Sequence, residues 1–147
     1  MRWPKDVYAA KVSRILDSCP EEDRQWLQQK LNFGNEITLA DRLNALVRPF
    51  EAAFGGEAEI VALVRGTTRT RNYHAHYDPA GELKALRSGP LVALTFRLRV
   101  LFVLNVLVRL GFTNEEAHGL IPKSYLEHML RTARYIDRSS SGGSNAA

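Results

Sequence analysis

Apolar positions recur at helical spacing between strong chain breakers, and little of the sequence reads as strand. Pro4 suits the first position of a helix running to about Ser18, with Val7, Val12, Ile15 and Leu16 on its apolar side. A shorter helix begins at Pro20, its early acids matching the positive N-terminal dipole and its Trp26, Leu27 and Leu31 facing inward. NFGNEIT is a loop, after which Thr38 caps a helix with Leu39, Leu43, Leu46 and Val47 on one side. Pro49 ends or kinks it, and Gly55-Gly56 break the chain again. From Glu57 to about His74 the pattern is helical, and DPAGELKALRSGP is a loop. Pro90 opens the most apolar helix, which stops near Leu110 at Gly111. Thr113 and Glu116 have capping-box spacing and start a short helix; Pro122 starts the last, to about Arg134. The expected fold is an all-α bundle without internal repeats. Residues 1–137 form one domain, and residues 138–147, ending in SSSGGSNAA, form a disordered tail.

Composition narrows the class. Cys19 is the one cysteine among 147 residues, which excludes an internal disulfide framework or a four-thiolate zinc site and suits a reducing cytosol. The first residues lack the apolar run of a secretory signal. Leu91–Leu110 is strongly apolar but carries Arg97, Arg99 and Arg109, so it reads as a buried helix and not a membrane span. A cytoplasmic protein without membrane contact is expected.

The net charge of +4 is concentrated: residues 84–134 hold eight basic side chains against three acidic ones. Fifteen arginines against five lysines favour the side chain whose fork matches phosphate oxygens. Charge alone is accounted for more simply by a solvated helical surface.

The chemistry gathers after Glu57. On a helix, the stripe from Ile60 through Val64 and Thr67 returns at Arg71 within about 20°, and His74 stays near that line. A charge on a core-facing line must be paired or open onto a cleft or a subunit interface. The competing reading is a helix that frays before Arg71, leaving both residues in water. His76 lies about 140° from Arg71 on a continuous helix, too far round to share one phosphate, but a helix ending near His74 lets it fold back. Asn72 adds an amide able to orient a neighbour. An Arg, an amide and a His are the elements of metal-free phosphodiester cleavage: the imidazole exchanges a proton and the guanidinium holds charge growing on phosphorus.

RNYHAH, inside RTRNYHAHYDP, resembles the Arg-polar-x3-His signature of the HEPN superfamily, and more narrowly the ApeA-like HEPN domain. In that domain an RNY…HYD block ends one helix and a leucine-rich helix finishing in LGF follows, here LTFRLRVLFVLNVLVRLGF at residues 94–112. The resemblance spans about residues 38 to 115. It implies a helical bundle that dimerises, bringing two motifs into one composite cleft. It also implies a metal-independent endoribonuclease without cofactor, often a toxin or antiphage effector, leaving 2′,3′-cyclic phosphate and 5′-hydroxyl ends. Carried over, Arg71 and His76 are the catalytic pair and Asn72 their supporting residue. Arg69 and His74 form a second register, with Tyr73 beside them; Asn72 directly after Arg71 favours the first. Arg97 and Arg99 are candidate RNA-phosphate ligands. ApeA-like proteins usually carry a larger N-terminal, regulatory region before this domain, so an excised domain and a short relative are both expected forms.

Two other readings stand beside the nuclease. One is a non-catalytic HEPN module for dimerisation or for nucleotide or RNA binding. The other is a DNA-binding helix-turn-helix in TNEEAHGLIPKSYLEHMLRT, disfavoured by Pro122 at the turn and by Tyr125, Leu126, Met129 and Leu130 at core spacing. His118 and His128 lack neighbours at ligand spacing, so no metal site is expected. Trp3 and Trp26 are read as packing residues, and Cys19 as a small hydrophobe.

Overall fold

A computed structural model describes residues 2–77 and 82–142, with only the backbone of residues 123, 141 and 142. The described residues are helical and contain no strand, giving the all-α architecture that the periodicity predicts. They form two compact units, residues 1–41 and 42–147.

The first unit is a hairpin of α1 (Lys5–Asp17) and α2 (Glu21–Leu31). Neither helix contains a buried residue, and Trp26, expected to face inward, is 60% exposed; Val7 and Ile15 are exposed as well. Two short helices share only one seam, so polar ties hold much of this unit. The buried Asn35 accepts at Oδ1 from the Trp3 amide (2.8 Å) and donates from Nδ2 to the Trp3 carbonyl (2.8 Å). The Tyr8 hydroxyl donates to the Leu31 carbonyl across the space left by Gly34, where any side chain would collide with it. Thr38 and Asp41 cap the next helix reciprocally: the Asp41 amide donates to Thr38 Oγ1, and the Thr38 amide to Asp41 Oδ2. Arg2 closes on the same carboxylate at 2.7 Å. Arg2 and Thr38 together hold the Asp41 carboxyl down at about 2.

The second unit begins within α3 (Leu39–Val47) and contains the larger core. Pro49 tightens the chain into a 3-10 turn, and α4 (Glu51–Phe54) stops at Gly55, whose φ of 100° is left-handed. The motif helix α5 (Glu57–His76) follows, then α6 (Ser88–Arg109), α7 (Asn114–Gly119) and α8 (Tyr125–Gly142). Val47, Phe50, Phe54, Ile60, Leu104 and Met129 are among the side chains closed off from solvent. Gly111 ends α6 with a left-handed turn in which Phe112 N–H reaches Leu107 and Gly111 N–H reaches Val108. The Thr113–Glu116 capping box forms as predicted.

Three boundaries differ from the sequence reading. α6 starts at Ser88, because a proline in the first turn costs no intrahelical hydrogen bond. Pro122 lies in a 3-10 turn, and α8 begins only after Ser124, whose hydroxyl accepts from the Leu126 amide. α8 then runs past Arg134 to Gly142, through the first residues of the segment expected to be disordered. Asp137 is tied to Arg97 of α6, and the Ser139 and Ser140 hydroxyls donate to carbonyls one turn back. The rest of that tail lies outside the described residues.

By length and composition α6 could cross a membrane. In the fold its Ala93, Leu94, Val100, Leu101 and Leu104 are core residues, and α8 packs along it so closely that Gly89 lies against Ile136.

Candidate functional site

α5 is one helix with two environments. Ile60, Leu63 and Val64 are buried, and Thr70 is the last buried residue. Its hydroxyl accepts from the Leu86 amide at 3.0 Å, tying the returning chain to the helix. Beyond it the helix continues for six residues into solvent and stops at Tyr77, whose φ is +48°. Arg71, Asn72, His74 and His76 are all exposed, so the line that faces the core further back runs out past the core. The helix does not fray before Arg71, nor does it end at His74.

This corrects the expected geometry of the pair. Because α5 is continuous through His76, Arg71 and His76 point about 140° apart within one protomer, and so do Arg69 and His74. The fold-back of His76 toward Arg71 does not occur. Instead Arg71 shares a side with His74, about 60° apart, while Arg69 and His76 lie within about 20° of each other, two turns apart. Arg71 Nη1 donates to Asn72 Oδ1 at 3.3 Å, so the amide steadies the guanidinium as its position suggests.

The rings add a feature that the sequence left unassigned. Tyr73 is half-buried, its ring 5.1 Å from that of His74 and 6.3 Å from that of Tyr77. The Arg87 guanidinium lies 5.9 Å from the Tyr73 ring and is held there by Glu82 at 2.7 Å. That hydrogen bond to Glu82, with further help from Tyr73, raises the Arg87 pKa. Arg87 is thus a fixed cation beside the motif. The signal available in the sequence was indirect: a buried threonine hydroxyl near a helix end needs a partner, and the segment supplying it carries Arg87.

Arg69 faces a cleft of about 590 Å³ between α5 and the chain entering α6, lined by Arg65, Arg69, Lys84, Leu86, Leu94 and Arg97 among others. Among the described residues no carboxylate pairs with Arg65, Arg69 or Lys84. Arg97 differs: its side chain is 13% exposed and engaged by Asp137, with Glu59 at 3.8 Å. It ties α6 to α8 and α5 and is not free for phosphate, contrary to the sequence expectation. Arg99 is exposed. Among the described residues no group of His, Cys, Asp and Glu side chains is arranged to hold a metal.

Residues 3–116 match the family model for the Apea-like HEPN domain. The chain belongs to that family. No curated protein and no solved structure matches it. The match begins well before residue 38, so α1 and α2, which added no specificity to the sequence reading, fall within the family domain. It ends inside α7 and leaves α8 outside.

Proposed function

We propose that this protein is a HEPN-type endoribonuclease, active as a homodimer in the cytoplasm, and that residues 1–137 work as one domain. The observation that carries this reading is the end of α5: two arginines, an amide and two imidazoles, all exposed, between Arg69 and His76, with Arg87 alongside and the family match across them. Arg71 stabilises charge on the phosphorane, Asn72 orients Arg71, and His76 exchanges the proton with the 2′-hydroxyl or the leaving oxygen. The 2′-hydroxyl oxygen attacks phosphorus and the 5′-oxygen leaves with a proton, giving a 2′,3′-cyclic phosphate and a 5′-hydroxyl. No metal or cofactor takes part. Since Arg71 and His76 of one protomer point apart, each cleft takes its arginine from one copy and its histidine from the other. RNA-cutting modules of this family fit a toxin or antiphage role.

The same divergence favours a second reading, a non-catalytic module that dimerises or binds nucleotide or RNA. Incubating the purified protein with total RNA in excess chelator separates the two. The nuclease reading expects cleavage that persists in chelator, leaves cyclic-phosphate ends and disappears in His76→Ala. Intact RNA across salt and pH supports the module, and chelator-sensitive cutting contradicts the mechanism.

A further inference from the structure

A patch of positive charge lies away from the motif, on the last helix. Around α8, Arg131 and Arg138 fall within about 20° of each other, with Tyr135 about 40° to one side and Arg134 about 60° to the other. Together with His128 and Thr132 they line a shallow groove of about 470 Å³. Arg134 Nη2 donates to the Ala53 carbonyl at 3.0 Å, fixing one guanidinium against the fold. Among the described residues no carboxylate pairs with Arg131 or Arg138. Glu127 stands one turn before Arg131 at the end of the stripe, and Asp137, engaged by Arg97, lines a neighbouring pocket with Arg134 and Arg138. Tyr135 is 72% exposed, and Tyr125, 64% exposed, stacks on the His128 ring at 5.7 Å.

We propose that this face of α8 is a docking surface for single-stranded RNA, separate from the cutting site. Guanidinium groups spaced along about 10 Å of helix would track consecutive phosphates, and exposed aromatic rings among them would stack bases. Single strands fit best because splayed bases can reach those rings. A membrane surface fits less well, since the arginine face carries no leucine, isoleucine or phenylalanine to insert. α8 lies outside the residues that match the family model. The inference rests on the ribonuclease reading only for the identity of the polymer; the surface itself stands on its charge and rings.

The test measures fluorescence anisotropy of a labelled mixed-sequence single-stranded RNA, with His76→Ala as the background so that the probe stays intact. Arg131→Ala with Arg138→Ala is expected to weaken binding about tenfold or more and to flatten the slope of log affinity against log salt by about 1.4. Lysine at both positions is expected to keep the slope, and Tyr135→Ala to lower affinity about fivefold with the slope unchanged. Helical circular dichroism is expected to match among the variants, since all four positions are exposed or polar. Unchanged affinity and slope in the alanine variant would overturn the proposal. So would equal displacement of RNA by poly-glutamate, which assigns the surface to an acidic protein, or capture by phosphatidylserine vesicles without RNA binding. Failure here is distinct from failure of the nuclease reading. RNA bound through α8 by a wild-type protein that never cuts retires only the nuclease, whereas cutting with KM unaltered in Arg131→Ala/Arg138→Ala retires only the docking surface.

Discussion

The two ends of α5 have the same backbone and opposite environments. From Ile60 to Val64 the helix is held by packing, with Ile60 fully closed off from water; after Thr70 no residue of it is buried, and its one half-buried side chain, Tyr73, lies beside Arg87. The helical period does not change between the ends. What changes is whether another element lies against the line it draws. The comparison teaches that a charged residue on a core-facing line need not be buried, because the helix can outrun its core. The buried end supplies rigidity, and the exposed end leaves Arg71, Asn72, His74 and His76 open to solvent.

Substitutions should separate the two ends. The largest effect is expected at the exposed end: Arg71→Ala or His76→Ala should each lower cleavage about 100-fold or more while leaving the thermal midpoint within error. Arg69→Ala should cost far less, and the reverse ranking would move the site to the Arg69/His74 register. At the buried end Ile60→Ala should cost about 2–5 kcal/mol in denaturant titration, with cleavage per folded molecule unchanged. At the junction, Thr70→Val removes the acceptor for the half-buried Leu86 amide and should cost about 1–3 kcal/mol. Hydrogen exchange should report that loss as faster exchange at Leu86.

The smallest effect is a pH dependence outside α5. The Asp41 carboxyl, held at about 2 by Arg2 and Thr38, lies below its ordinary 3.8. A depressed carboxylate contributes stability above the ordinary value and loses it as pH falls through the depressed one. The wild type should therefore lose stability between about pH 4 and pH 2 more steeply than Asp41→Asn, as read by thermal melts across that range.

Much of this contrast was legible in the sequence because it is local. Helix existence, the Thr113–Glu116 box, the Gly111 stop and the Arg71-Asn72-x3-His76 block are all set by neighbours within a few residues. The misplaced features depend on distant partners. Arg97 reads as a free phosphate ligand until Asp137, forty residues later, engages it. Trp26 reads as core by periodicity, yet the α1–α2 hairpin has too little surface to bury it. Pro122 reads as a helix start, whereas Ser124 takes the capping role and leaves the proline in the turn before it. The direction of His76 turned on two further residues of helix: the Asp78-Pro79 that follows announces a stop but does not fix it to the residue, and α5 ends only at a left-handed Tyr77.

Mixing Arg71→Ala with His76→Ala protein tests the composite cleft most directly. Random pairing makes half of the dimers mixed, and each mixed dimer holds one cleft with both groups intact, so two silent proteins together should recover about a quarter of wild-type cleavage. A mixture that stays silent, although both variants are folded and exchange subunits, would contradict a site built from an arginine of one copy and a histidine of the other.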